Sequence, residues 1–152
     1  MYMLKNNFII ISIIFIFFQF SSLANEEKFL SLKKDKVNVR YGPSFDFPVK
    51  YIYKKINLPI KQIDKKENFR RIIDFKKNSG WIHISQLKKV NSVITIKDKI
   101  LFKKPSIFSK PVANIKKGRL LIVQKCEKDW CKVKTEDLKG WIDKKNLWGG
   151  IN

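Results

Sequence analysis

The sequence has little of what metal sites and many catalytic centres require. Its 152 residues include one histidine and two cysteines, and these three residues form no cluster along the chain. Structural zinc sites usually need four Cys or His ligands, so this composition excludes most of them. Acidic residues are scarce as well, with 13 Asp and Glu against 33 Lys and Arg. We therefore expect neither a metal site nor a cofactor.

The same scarcity argues against an enzyme. His83 is the only histidine that could act as general base for a serine or cysteine nucleophile. It follows Trp81 by two residues in a segment with the pattern of a strand, which is typical of a structural residue. Glycoside hydrolysis needs two carboxylates at a fixed separation in a cleft, whereas the carboxylates here are scattered through turns. We predict a protein without catalytic activity.

Basic residues dominate what is present. The formal net charge is +20, and the arginines among the basic residues are Arg40, Arg70, Arg71 and Arg119. A strong charge of one sign suggests an anionic partner. The excess is spread evenly along the chain rather than gathered into one stripe, which argues against nucleic acid. Weak contact with an anionic membrane and a merely solvated lysine-rich surface both remain open.

Residues 1–24 have the three parts of a secretory signal peptide. A short start containing Lys5 precedes a thirteen-residue apolar run from Phe8 to Phe20, and small residues then lead to Ala24. This pattern predicts cleavage between Ala24 and Asn25 and an exported product, periplasmic or secreted. A bilayer span needs roughly 20 apolar residues, so the run is short for a permanent anchor. An uncleaved N-terminal anchor is the alternative.

Export determines how the cysteines are interpreted. Cys126 and Cys131 lie between two alternating segments, residues 120–123 and 132–134, which predict a β-hairpin. Paired residues in a hairpin have Cβ atoms about 4.5–5.5 Å apart, close to the roughly 3.8 Å of a disulfide. An oxidising compartment would close this bond. A redox-active pair is the alternative, but such pairs favour a two-residue spacing near a helix N-terminus.

The rest of the chain contains one pattern twice. Pro48-Val49 recurs as Pro111-Val112, and Gly80-Trp81-Ile82 recurs as Gly140-Trp141-Ile142. Short alternating segments separated by turn residues, without a sustained helical period, predict an all-β protein. Five such strands in each copy fit a small barrel. With 44% apolar residues, the chain can bury a core in each copy.

The first copy carries a family resemblance. Its opening, Val37-Asn38-Val39-Arg40-Tyr41-Gly42-Pro43-Ser44, and its later segments 68–72 and 80–83 resemble the motifs of bacterial SH3-like (SH3b) domains. The second copy begins at residues 100–106 without the Asn, the Arg or the Gly-Pro turn. The resemblance implies two tandem SH3-like barrels in an exported protein. It also implies non-catalytic binding, often to cell-wall peptides or other envelope components.

The predicted organisation follows from the signal peptide and the two copies. It consists of a signal peptide (1–24), a lead-in (25–35), a first barrel (36–88), a linker or bridging strand (89–98) and a second barrel (99–149).

Aromatic side chains and an arginine concentrate near the first opening turn. An aromatic groove with an arginine at its rim suits a short peptide that carries a carboxylate. The alternative is that these aromatics only cover the barrel. The expected partner is a cell-wall peptide or, as a second possibility, another envelope protein. The predicted binding residues are Arg40, Tyr41, Tyr51, Tyr53 and Trp81.

Overall fold

The structure is a computed structural model that describes residues 28–151. The predicted signal peptide and its cleavage point between Ala24 and Asn25 lie outside the described residues. Within residues 28–151, no helix is long and apolar enough to cross a membrane.

The expectation of an all-β protein is confirmed. Two seven-stranded antiparallel sheets account for the architecture, with one short 3₁₀ turn at Ile84–Gln86 in the described part of the chain. The first sheet comprises β1 (Lys28–Leu32), β2 (Val37–Arg40), β3 (Val49–Tyr53), β4 (Pro59–Lys66), β5 (Phe69–Ile73), β6 (Ser79–His83) and β7 (Leu87–Lys89). The second comprises β8 (Ser92–Thr95), β9 (Lys99–Phe102), β10 (Pro111–Ile115), β11 (Leu120–Glu127), β12 (Trp130–Lys134), β13 (Lys139–Asp143) and β14 (Leu147–Trp148).

The two sheets have the same topology. The first runs in the order β3-β2-β6-β5-β4-β1-β7, and the second in the order β10-β9-β13-β12-β11-β8-β14. Each strand of the first sheet therefore has an equivalent strand in the second sheet, seven strands later in the chain. This equivalence confirms the repeat that the sequence predicted.

Each sheet contains two strands more than the five predicted. One precedes the five (β1 or β8), and a short one follows them (β7 or β14). Strand β1 comes from the predicted lead-in (25–35), and β8 comes from the predicted linker or bridging strand (89–98). They occupy equivalent places, because β1 pairs with β4 and β8 pairs with β11. The pairing identifies β1 as a strand, and for residues 89–98 it decides in favour of the bridging strand. The domain boundaries themselves stay a prediction.

Alternation along the strands builds one apolar core in each sheet. In β2, for example, Val37 and Val39 are fully buried while Asn38 and Arg40 are half-buried. Burying a Val, Ile or Leu side chain contributes about 1.5–3 kcal/mol. The fully buried residues of the first core are Leu32, Val37, Val39, Ile60, Ile72, Ile82 and Ile94, and those of the second include Val93, Leu101, Leu121 and Ile142.

The repeated Gly-Trp pair marks a close approach of two strands. A Cβ atom on Gly80 would lie 3.0 Å from the carbonyl oxygen of Arg40, and one on Gly140 would lie 2.7 Å from that of Phe102. The distance at Gly140 leaves no room for a side chain, and at Gly80 the Cβ atom would also lie 2.4 Å from Cγ1 of the buried Val39. Glycine at these positions therefore lets β6 approach β2 and β13 approach β9. The tryptophan that follows each glycine is thereby fixed opposite Arg40 or Phe102.

The predicted hairpin and its disulfide are present. Cys126 and Cys131 are paired residues of β11 and β12, and they form a disulfide with their Cα atoms 4.0 Å apart. The strands extend further than expected, since Glu127 still pairs with Trp130. So small a ring removes little entropy from the unfolded chain, and its contribution to stability is about 2 kcal/mol.

Strand β8 lies between the two cores. All four of its residues are buried. Because successive residues of a strand point to opposite faces, Val93 belongs to the second core and Ile94 to the first. Ser92 shares the face of Ile94, and its hydroxyl lies 3.0 Å from that of Ser31 in β1. The same Ser92 hydroxyl donates to the carbonyl oxygen of Asn57. The two domains therefore share a packed interface.

Candidate functional site

Trp81 lies between two arginines on the first sheet. Its strand, β6, pairs with β2 on one side and β5 on the other, so Trp81 is opposite both Arg40 and Arg71. Directly paired residues point to the same face of a sheet. The three side chains therefore form a row across three strands, which we call the Arg–Trp–Arg row.

The row lines an open cavity of about 320 Å³. Tyr41, Lys50, Ser79 and Gly80 complete its wall. The ammonium of Lys50 lies 5.6 Å from the centre of the Tyr41 ring and donates a hydrogen bond of 3.0 Å to the carbonyl oxygen of Ser79. Three cationic side chains and no carboxylate line this cavity. Its potential is therefore positive, and it suits an anionic group.

Part of the Arg40 guanidinium is engaged within the protein. Its Nη1 donates to the carbonyl oxygens of Phe45 and Phe47, at 3.1 and 2.7 Å. The guanidinium carbon also lies 5.4 Å from the centre of the Phe45 ring. These contacts hold the turn that follows β2. A guanidinium has five N–H donors, so its other edge can still bind a carboxylate.

Tyr51 and Tyr53 are not brought to this cavity. Their rings pack against the first core, edge to face, with centres 5.2 Å apart. The Tyr53 hydroxyl donates 3.0 Å to Oδ2 of Asp74 and lies 3.4 Å from the Tyr51 hydroxyl. The reason is alternation in β3, which turns both tyrosines toward the core and exposes Lys50 and Ile52. The structure thus groups Arg40, Tyr41 and Trp81, and their role in binding stays a prediction.

Two cationic residues of the cavity, Lys50 and Arg71, were not predicted from the sequence. The sequence did carry a signal for the arginine. Arg70 and Arg71 are adjacent in β5, so one of them has to lie on each face of the sheet. Which of the two lies beside Trp81 depends on the register of β5 and β6, which is set by the turn at residues 74–78.

His83 has a local structural role. Its Nδ1 lies 2.8 Å from the Ser85 hydroxyl and accepts from the Ser85 backbone N–H at 3.3 Å, which caps the 3₁₀ turn. Its ring lies 5.1 Å from each of the Phe45 and Phe69 rings. Between residues 28 and 151, no group of three or more His, Cys, Asp or Glu side chains is placed to hold a metal ion.

Tyr51 and Tyr53 should make the protein less stable at alkaline pH. Burial is the main cause that raises the pKa of Tyr51 and of Tyr53, and for Tyr53 the hydrogen bonds to Tyr51 and Asp74 raise it further. The folded state then holds these protons more tightly than the unfolded chain does. Their contribution to the free energy of unfolding is complete below about pH 10 and is lost as the pH rises above it.

Urea denaturation at a series of pH values tests this dependence. We expect the free energy of unfolding to fall less steeply above about pH 10 in Tyr53→Phe than in the parent, because one raised pKa is removed. Tyr41→Phe is the control, since Tyr41 is 61% exposed. Identical slopes in the parent and in Tyr53→Phe would contradict the prediction.

The family model described as the bacterial SH3 domain matches the chain twice, at residues 33–89 and 98–149. The chain belongs to the bacterial SH3 domain family. Its two sheets are two tandem SH3-like domains, as the sequence predicted.

Two solved structures from Trichomonas vaginalis are among those similar to this chain. A search of curated proteins finds no match. Among solved structures, NlpC2 from Trichomonas vaginalis is 10% identical with a TM-score of 0.38, over 82% of this chain and 48% of that one. NlpC1 from the same organism is 12% identical with a TM-score of 0.36, over 84% and 47%. The SH3 chain therefore spans about half the length of these two structures.

Proposed function

We propose that this tandem SH3 protein is a non-catalytic binding protein of the cell envelope that recognises a carboxylate of a cell-wall peptide. Bacterial SH3 domains are typically binding modules, and the predicted signal peptide would bring the chain to the envelope. The observation that carries the proposal is the Arg–Trp–Arg row, with Lys50 beside it and no carboxylate in the cavity wall.

Each group of the cavity has a role in this proposal. Arg71 and the outer edge of Arg40 bind the ligand carboxylate, because guanidinium and carboxylate match in a bidentate geometry. The faces of Trp81 and Tyr41 pack against the apolar part of the peptide. The Ser79 hydroxyl is buried without a hydrogen-bond partner in the described structure and lies beside the wall of this cavity.

The second domain has a different row at the equivalent place. Phe102 and Lys132 are paired with Trp141, where the first domain has Arg40 and Arg71 beside Trp81. Trp141 is buried, and the ammonium groups of Lys125 and Lys132 lie 5.4 and 5.9 Å from its ring centre. We therefore assign carboxylate binding to the first domain.

Retention on purified cell-wall sacculi tests the proposal. The chain beginning at Asn25 is expected to be retained at low ionic strength. Arg71→Gln should lower the retained fraction about tenfold, because it removes charge-assisted hydrogen bonds to the ligand. Arg70→Gln is a matched control, since it makes the same change on the opposite face of β5.

Chemical amidation of the sacculus carboxylates separates this recognition from general charge attraction to other anions. We expect amidated sacculi to retain little of the parent protein. The retained fractions of the parent and of Arg71→Gln should then be equal. Absence of retention on untreated sacculi would refute the proposal, as would equal losses in Arg71→Gln and Arg70→Gln. Affinity for a defined envelope protein, with none for sacculi, would replace the wall peptide by a protein partner.

A further inference from the structure

The loop between β9 and β10 exposes two large apolar side chains. Phe108 is 92% exposed and Ile107 is 68% exposed, the highest values among the large apolar residues of the described chain. Neither residue contributes to the Arg–Trp–Arg row, which belongs to the other sheet. We call residues 103–110 the apolar loop.

The equivalent turn of the first domain also exposes apolar side chains, Phe45 at 61% and Phe47 at 44%, but it differs at the position of Phe108. In each turn a serine hydroxyl accepts a hydrogen bond from the backbone N–H two residues later, Ser44 from Asp46 and Ser106 from Phe108. These matching bonds make Phe108 the equivalent of Asp46, which is exposed as well. The second domain therefore carries a phenylalanine at the outermost position, where the first domain carries an acid.

Hydrogen bonds within the apolar loop hold its tip away from the sheet. The backbone N–H of Lys103 donates to the carbonyl oxygen of Lys110 at 3.0 Å, and that of Ser109 donates to Ser106 at 3.1 Å. The backbone N–H of Lys104 donates to the Ser109 hydroxyl at 2.9 Å. A loop closed in this way keeps the Phe108 ring in solvent.

Three lysines stand at the two ends of the apolar loop. Lys103, Lys104 and Lys110 are exposed and make no ion pair within residues 28–151, and the loop contains no acidic residue. An apolar tip with cations at its base matches the order of layers in an anionic lipid bilayer, in which the phosphates lie outside the acyl chains. A pocket in a partner protein would not require three unpaired lysines within one loop of eight residues.

We propose that the apolar loop binds the surface of an anionic lipid bilayer. Phe108 and Ile107 enter the boundary between headgroups and acyl chains, and the three lysines contact lipid phosphates. The proposal adds a second binding surface to the protein and does not rest on carboxylate recognition by the first domain. Loss of either surface would leave the other intact.

Cosedimentation with lipid vesicles tests the proposal, using the chain that begins at Asn25 and contains both sheets. Vesicles are made of phosphatidylcholine alone or of equal parts phosphatidylcholine and phosphatidylglycerol. We expect binding to the anionic vesicles, and a partition coefficient lowered about tenfold by Phe108→Ser, because the variant removes the aromatic side chain that enters the bilayer. Ile63→Ser is the matched control, since Ile63 is an exposed apolar residue of the first sheet.

A second variant reports insertion directly. Phe108→Trp should show stronger fluorescence quenching by lipids with brominated acyl chains than the parent, whose native tryptophans lie outside the loop. Equal binding by the parent and Phe108→Ser would overturn the proposal, because attraction by net charge alone would then suffice. Equal losses in Phe108→Ser and Ile63→Ser, or no binding to anionic vesicles, would also overturn it.

Discussion

Replacing Asp74 by alanine is expected to lower the free energy of unfolding by about 3 kcal/mol, because it leaves four partly buried donors without an acceptor. Asp74 is 3% exposed. Its Oδ1 accepts from the backbone N–H groups of Lys76 and Asn78, both at 2.9 Å. Its Oδ2 accepts from the Tyr53 hydroxyl and from the Asn78 side-chain amide, both at 3.0 Å.

This carboxylate also positions the candidate site. The turn that it organises connects β5 to β6, and it therefore sets the register that places Arg71 opposite Trp81. Asp74→Asn keeps the shape of the side chain but turns one acceptor into a donor that faces other donors. We expect the free energy of unfolding of Asp74→Asn to lie between that of the parent and that of Asp74→Ala.

Urea denaturation followed by circular dichroism measures the effect of Asp74. Asp137→Ala is the control, because Asp137 is an exposed acid in a turn of the second domain and should change the unfolding free energy by less than about 0.5 kcal/mol. A loss in Asp74→Ala no larger than in this control would contradict the role assigned to the buried carboxylate.

Replacing Ile94 by alanine is expected to destabilise the first domain, although Ile94 belongs to a strand of the second sheet. Ile94 is 1% exposed and packs in the core cluster of the first domain. Trp148 packs against the same cluster and contacts Phe29 edge to face, with ring centres 5.3 Å apart. Truncation of a buried isoleucine to alanine costs about 2–5 kcal/mol.

Hydrogen exchange measured by mass spectrometry can locate the effect of Ile94→Ala. We expect faster exchange in β2 and β5 of the first sheet, since the cavity opens toward that core. Ile96→Ala is the control, because Ile96 follows the same strand but is 38% exposed. Faster exchange confined to the second sheet would show that the two domains are not coupled through β8.

The strands of the repeat could be predicted because their signals are local. Alternating apolar residues identified β2 to β6 and β9 to β13, and the Gly-Trp pairs aligned the two copies. The spacing of Cys126 and Cys131 across a hairpin, together with the predicted export, predicted the disulfide. Strand β1 was not predicted, because it becomes a sheet member only by pairing with β4. Residues 89–98 were predicted as a linker or a bridging strand, and the pairing of β8 with β11 decides for the strand.

Part of the candidate site could also be predicted from local sequence signals. Arg40 and Tyr41 belong to the opening motif at residues 37–44, and Trp81 belongs to the segment at residues 80–83. The structure brings the three together in one cavity. Alternation in β3 separates the tyrosines of that strand from the cavity and presents Lys50 instead. Arg71 is added by the register between β5 and β6.

The sequence by itself determined an all-β protein with two copies of one small domain, because strand alternation, turn residues and repeat spacing are properties of neighbouring residues. Tertiary structure decided which side chains share a surface. It placed Arg71 beside Trp81, Ile94 in the core of the other domain, and Phe108 at an exposed tip. Those placements depend on strand register and domain packing, which join residues that are distant in the chain.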